Sequence, residues 1–267
     1  MKSSKLLLAL LSFLTFTSVN QTASLAQDNQ SSSLESTRKA AAQGDAIAQN
    51  NLGDMYVKGL GVALDYKEAV KWYRKAADQG LADAQNNLGV MLYGGHGITL
   101  DQKKSSKWFR KAADQGFADA QDNLGRAYAH GKGIAIDYKE AVKWYRKAAD
   151  QGHASAQFTL GHFYDVDRAG VREYLGIALD YKEAIKWYRK AADQGHAGAQ
   201  YFLAQMYAYG KGVNQDYIES CKWYNIALAN GLVDERVSHL RSLLYKELTA
   251  EQISRAKQSA QEWMKNH

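Results

Sequence analysis

The polar and apolar positions of this chain repeat. From Asp45 it reads DAIAQNNLGDMYVKGLGVALDYKEAVKWYRKAADQG, and the same alternation of small, large and charged positions returns at 81–116, 117–152, 153–195 and 196–231. The glutamine of an Ala-Gln pair marks the register at Gln49, Gln85, Gln121, Gln157 and Gln200, spaced by 36, 36, 36 and 43 residues. A fixed period of this length is the mark of a stacked architecture: one short unit cannot bury its own apolar face and does so only against the next copy.

Each copy predicts two helices. Gln49, Leu52, Gly53 and Tyr56 fall at i, i+3, i+4 and i+7, one face of a first helix. Ala69, Trp72, Tyr73, Ala76 and Ala77 stripe a second. Gly59-Leu60-Gly61 separates them, and Gly80 ends the second. Asp65 with Glu68 has the spacing of a reciprocal capping box, repeated at Asp137/Glu140, Asp180/Glu183 and Asp216/Glu219 and broken in copy two, where Lys104 follows Asp101. Ala46, Ala48, Gly53, Ala76 and Ala77 keep the helix surfaces low, so that Trp72 and Tyr73 fill the space between them. The predicted fold is therefore all-α.

The pattern A-x-A-Q-x-x-L-G-x-x-Y, then G-x-G, then D-Y-x-E-A-x-K-W-Y-x-K-A-A-x-Q-G resembles the Sel1-like repeat, a relative of the tetratricopeptide repeat. The resemblance covers five units over 45–231 and implies a right-handed α/α solenoid of helix-pair repeats with capping helices. One departure is visible. The family often places proline after G-x-G-V, whereas this chain has none and carries Ala63, Thr99, Ala135, Ala178 and Asn214 there, which loosens the turn slightly.

The flanks break the pattern. Lys2 and Lys5 precede an apolar run, Leu6 to Phe16, and Ser24-Leu25-Ala26 is a small-x-small site, so 1–26 reads as a secretory signal. Residues 27–36 are polar and serine-rich and read as a disordered tail. Residues 37–44 copy the end of a second helix and read as a half-repeat cap. After Gly231, Val233, Val237, Leu240 and Leu244 predict one helix. Thr249 with Gln252, followed by Ile253, Ala256, Ala260 and Trp263, predicts another, so 232–267 should be C-terminal capping helices that seal the core. Copy four carries extra residues in its internal turn, Asp165 to Leu175, where solenoid insertions form loops on one face.

Composition narrows the function. The formal charge is +6, two of the lysines belong to the leader, and export argues against a nucleic-acid partner. No other apolar run is long enough to span a bilayer, so no stable membrane insertion is expected after signal cleavage, and the mature chain should be periplasmic or secreted. Cys221, the single cysteine, aligns with Val70 and Val142 and reads as a buried structural thiol. No H-E-x-x-H, G-x-S-x-G, C-x-x-C or phosphate-loop pattern occurs, so no catalytic residue, metal ligand or cofactor is assigned. His153 and His196 share one repeat position, roughly 10 Å apart in a stacked array, and read as structural. Asp165, Asp167 and Glu173 lack the spacing of a calcium loop. The glutamine column lies on the buried stripe and needs a partner, which a backbone group of the neighbouring turn would supply. The basic ridge of the second helices, such as Lys71, Arg74 and Lys75, reads as a solvated face.

Positions that vary between copies are the better guide to a site. After the glutamine they run Asn50, Asn86, Asp122, Phe158, Tyr201; four further on, Asp54, Val90, Arg126, His162, Gln205. By analogy with related solenoids these are expected to lie off the apolar stripe and line a concave groove. Candidate partner-binding residues are Arg126, Phe158, His162, Tyr201, Phe202 and Gln205. The aromatic ones have an alternative reading, packing against the C-terminal capping helices. The resemblance implies a non-enzymatic scaffold or adaptor for an unidentified protein partner in or outside the bacterial envelope, in envelope assembly or host interaction. Two other readings stay open: a β-lactam-binding or hydrolysing enzyme, as in cysteine-rich relatives whose paired cysteines this chain lacks, and an anionic-polymer binder using the basic ridge.

Overall fold

The computed structural model describes residues 33–165, 178–232 and 236–267. Among them every regular element is helical. They are α1 (33–42), α2 (Ala46–Lys58), α3 (Tyr66–Asp78), α4 (Ala82–Gly94), α5 (Gln102–Asp114), α6 (Ala118–His130), α7 (Tyr138–Asp150), α8 (Ala154–Asp165), α9 (Tyr181–Asp193), α10 (Ala197–Tyr209), α11 (Tyr217–Ala229), α12 (Arg236–Glu247) and α13 (Ala250–Asn266). The expected all-α, helix-pair solenoid class is what the structure shows. The chain divides into two compact units, Met1–Trp108 and Phe109–His267. The leader at 1–26 and the Asp167 and Glu173 carboxylates lie outside the described residues.

In the first unit α2 packs on α3 and α3 on α4. The turn closing α2 needs Gly59, which is left-handed at φ 67° while its amide returns to the Met55 carbonyl. The first helix must also be thin where the second crosses it: a Cβ on Gly53 would sit 2.6 Å from the Tyr73 ring, so only glycine admits the tyrosine. The chain enters this unit earlier than its composition suggests. Residues 33–36, expected in the disordered tail, are helical, and Leu34 is 7% exposed against Ala41, Ala48 and Leu52. Leu34 and Ala41, seven residues apart, share one helix face, so a single leucine among serines suffices to dock the turn.

In the second unit successive helices pack in order from α6 to α11, and α13 closes the end by packing on α11. Leu124, Leu160 and Leu203 are each fully buried, one per copy, as the stripe requires. The closing helix begins with a complete capping box: the Gln252 amide donates to Thr249 Oγ1 and the Thr249 amide to Gln252 Oε1. Its stripe buries Ala256 and Ala260 and sets Trp263 edge-on to Trp223, with ring centres 5.3 Å apart.

The capping boxes expected inside the repeats are only half formed, and the reason is local. Asp137 accepts the Glu140 amide at 3.0 Å, but the reciprocal donor is already engaged: the Asp137 amide donates to the Tyr128 carbonyl at the end of α6. The same bond joins Asp65 to Tyr56, Asp180 to Tyr164 and Asp216 to Tyr207. With no orphan amide to satisfy, Glu68 and Glu183 turn to Lys71 and Lys186 three residues on, and Glu140 to Lys143. Copy two loses nothing: Asp101 still accepts the Lys104 amide and pairs with the Lys104 ammonium at 3.0 Å.

The glutamine column does what its burial requires. Gln157 Nε2 donates to the Ala149 carbonyl at 3.0 Å, in the second helix of the copy before, and its Oε1 accepts from Gln194, which ends the second helix of its own copy, at 2.7 Å. Gln49, Gln121 and Gln200 make the same two bonds, to Ala41 and Gln79, to Ala113 and Gln151, and to Ala192 and Asn230. Each amide therefore fastens three helices.

The ridge cations are partnered locally. Lys75, Lys147 and Lys190 lie over Trp72, Trp144 and Trp187 at 3.9, 3.9 and 4.3 Å. Arg110, Arg146 and Arg189 donate to the hydroxyls of Tyr128, Tyr164 and Tyr207 in the following copy. Cys221 is buried, which pushes its thiol pKa up and keeps it an inert packing group.

Candidate functional site

In the second unit the first helices of copies three and four flank a cavity of about 640 Å³. It is lined from α6 by Arg126 and His130, from α8 by Phe158, His162 and Phe163, and at the start of α10 by His196. On α8, Ser155, Phe158, Thr159 and His162 fall at i, i+3, i+4 and i+7, so one helical face supplies that wall.

Of the six residues singled out in the sequence, the cavity brings together Arg126, Phe158 and His162. Arg126 and His162 are exposed and Phe158 half-buried. Phe202 stands behind them, 5.5 Å from both the Phe158 and the His162 rings and 5.3 Å from Tyr188. Tyr201 is 8% exposed, edge-on to Phe202, and its hydroxyl accepts from Gln205 Nε2 one turn on. The position after the glutamine does not lie off the stripe. Asn50, Asn86, Asp122 and Tyr201 are all buried, because this column faces the neighbouring copy: Asn87 of the second copy donates to Asn50 Oδ1 at 3.1 Å. The column four further on is the open one, with Val90, Arg126 and His162 exposed.

Two contributors escaped the sequence reading. Asp122 is 2% exposed and its Oδ2 holds the Arg126 guanidinium at 3.0 Å. Burial raises the Asp122 pKa, and Arg126 and then His153 oppose that shift. The Asp122/Arg126 spacing of four was the available signal, since no other copy has an acid and a base at those two positions. The second contributor is His196. Its Nδ1 accepts the Ala199 amide at 3.2 Å, capping α10, and its ring stacks on Phe158 with centres 4.6 Å apart. His153 caps α8 in the same way through Ala156. The shared repeat position of the two histidines is thus a helix cap, filled by Asp45 in copy one.

Burial lowers the His196 pKa below its usual 6.5. An imidazole that resists protonation only when folded contributes stability above about pH 6.5, and that stability drains away as the pH falls toward the lowered folded value. The urea midpoint should therefore drop from pH 7.5 to pH 5.5, and His196→Asp, which keeps an acceptor at the cap, should flatten the drop. An unchanged slope in that variant would remove His196 from the account.

Among the described residues no group of three or more histidine, cysteine or acidic side chains is arranged to hold a metal ion, and no helix is long and apolar enough to cross a membrane.

Comparison with known proteins places this geometry. The model of the Sel1 repeat matches at 46–81, 82–117, 118–153, 154–196 and 197–232. A Sel1 repeat protein from Oxalobacter formigenes is 32% identical over 82% of this chain and 95% of its own, with a TM-score of 0.67. A protective antigen present in uropathogenic Escherichia coli strains, described as displaying an SLR fold, is 32% identical over 89% of this chain with a TM-score of 0.59; the alignment covers 57% of that longer protein. A Klebsiella pneumoniae structure described as a Sel1 repeat protein shares the fold at 21% identity and a TM-score of 0.50, covering 79% of this chain and 98% of its own. No curated protein matches the chain. Sel1 repeats are generally non-catalytic scaffolds on which proteins interact. Five matched units across most of its length make this chain a member of the Sel1 repeat family.

Proposed function

We propose that this protein is an exported, non-catalytic adaptor that binds a protein partner along the first-helix face of copies three to five. The observation that carries the reading is the coincidence of variability with a cavity. The leucine and glutamine columns repeat from copy to copy to hold the stack, whereas Arg126, Phe158 and His162 occupy positions that vary among the copies and meet at one opening. Half-buried rings beside exposed polar groups are the usual make-up of an interaction hot spot. Phe202 and Gln205 extend the same face, and Tyr201 supports it from beneath.

The charged leader-like residues 1–26 support a site in or beyond the envelope, as does the likeness to a protein described as a protective antigen. The basic ridge gives little support to polymer binding, because most of its cations are engaged with Glu, Trp and Tyr of the chain itself. The single buried cysteine gives none to the cysteine-rich enzyme reading.

Crosslinking in the native compartment followed by affinity capture tests the proposal. The wild-type chain should retain a defined partner, and the Phe158→Ala/His162→Ala variant should lose about tenfold or more of it, the equivalent of one ordinary hot-spot contact. Full retention by a folded double variant would move the binding face elsewhere. Tyr201→Ala is unsuitable for this purpose, since that ring is part of the core.

A further inference from the structure

Among the described residues the cavity walls carry Arg126, His130, His162 and His196 and no carboxylate. The acid that balances Arg126 lies in the seam between copies. Asp122 Oδ2 engages one guanidinium nitrogen at 3.0 Å, and Oδ1 makes no hydrogen bond. In the first seam the equivalent oxygen, on Asn50, accepts from Asn87. In the third seam the matching donor position holds Thr159, whose hydroxyl instead donates to the Ser155 carbonyl of its own helix. The polar seam is therefore open where the cavity lies, and a half-satisfied carboxylate is kept there at a cost in stability. What that arrangement achieves is a fixed guanidinium: five donors in a rigid fork, of which Asp122 engages a single nitrogen.

The far wall is also a donor. Because His196 Nδ1 accepts the Ala199 amide, the proton of the neutral ring resides on Nε2. The Phe158 and Phe163 rings line the same cavity, and the Phe158 ring stacks on the imidazole. Donors contributed by three consecutive first helices, with aromatic rings among them, match an acceptor-rich ligand longer than a single small anion.

Building on the adaptor reading above, we propose that the occupant is an acidic peptide segment of the partner, with a carboxylate on Arg126 and an apolar or aromatic side chain against Phe158 and Phe163. Asp122 is the positioning residue, acting through Arg126.

A random dodecapeptide display library panned on the whole mature chain tests this whatever the partner proves to be. Selected peptides should be enriched in Asp or Glu next to a large apolar residue. A fluorescein-labelled selected peptide should bind more weakly as salt rises, and about tenfold or more weakly to Asp122→Asn/Arg126→Gln. That double variant avoids leaving a lone buried charge, and its melting curve checks the fold. The Asp122→Asn variant alone should weaken the labelled peptide less, while a Lys-for-Glu peptide should not bind. Selection without acidic residues, no selection at all, equal affinity for the double variant, or complete displacement by millimolar inorganic phosphate each overturns the proposal. In the crosslinking experiment, a partner lost with Phe158→Ala/His162→Ala but kept by Asp122→Asn/Arg126→Gln would reject the acidic segment and leave the adaptor standing. No partner at all would remove both.

Discussion

Tyr188→Ala is expected to remove about 3–5 kcal/mol from the unfolding free energy, the range for deleting a large buried ring. Tyr188 is fully buried in α9, within the core that copies four and five share. A Cβ on Gly161 would approach its ring to 2.8 Å, so the ring already fills the notch that the glycine leaves. On its other side it packs on Phe202, with centres 5.3 Å apart, and on Phe158 at 5.9 Å. Alanine would leave a void that a notch cut to this shape cannot collapse around. The hydroxyl matters far less. It donates to Asp165 Oδ2 over a long 3.4 Å, and burial followed by that carboxylate holds the phenol protonated well above its ordinary pKa. Tyr188→Phe should therefore cost no more than about 1 kcal/mol. Urea unfolding followed by helical circular dichroism separates the two variants. Equal losses would shift the weight from packing to the hydroxyl bond.

Gln157→Leu should cost about 2 kcal/mol although it adds apolar volume to a buried site. The leucine matches the glutamine in size but leaves the Ala149 carbonyl without its donor and Gln194 without its acceptor. Gln194 is exposed and turns to water, so most of the loss comes from the carbonyl. Gln194→Ala, which keeps the Ala149 bond, should cost well under half as much in the same measurement. A stabilised Gln157→Leu would mean that water replaces the amide and that the column only fills space.

The repeat frame was legible because it is written five times. The stripes that predict the helices, the glycine after each helix, and the need for a partner at the glutamine column all follow from periodicity, and the structure places them where the period does. What a copy contributes to its neighbour was not legible. The residue after the glutamine looks like an outward position on an isolated first helix. Asn50 shows why it is buried: its partner, Asn87, lies in the next copy, and a hydropathy pattern marks the face a residue is on without marking what is stacked against that face. The same blindness hid the job of His196, whose capping bond and ring stack belong to different neighbours. The half-formed capping boxes are a third case. Asp137 and Glu140 have the right spacing, but the Tyr128 carbonyl had taken the amide first, through a turn whose path the spacing does not encode. At the cavity, Asp122 and Arg126 both stand out as variable, in separate columns, and only the folded helix joins them.

The threefold fastening by each glutamine has an evolutionary reading. At Gln49, Gln121, Gln157 and Gln200 one side chain reaches backward to a carbonyl eight residues earlier and forward to the end of its own copy's second helix. The rule refers to offsets and not to any particular neighbour. Duplicating or excising one whole module regenerates the junction it interrupts, so lineages can lengthen or shorten such arrays in steps of one unit. A loss of half a unit would strand an amide at each end, and selection should keep the reading length quantised.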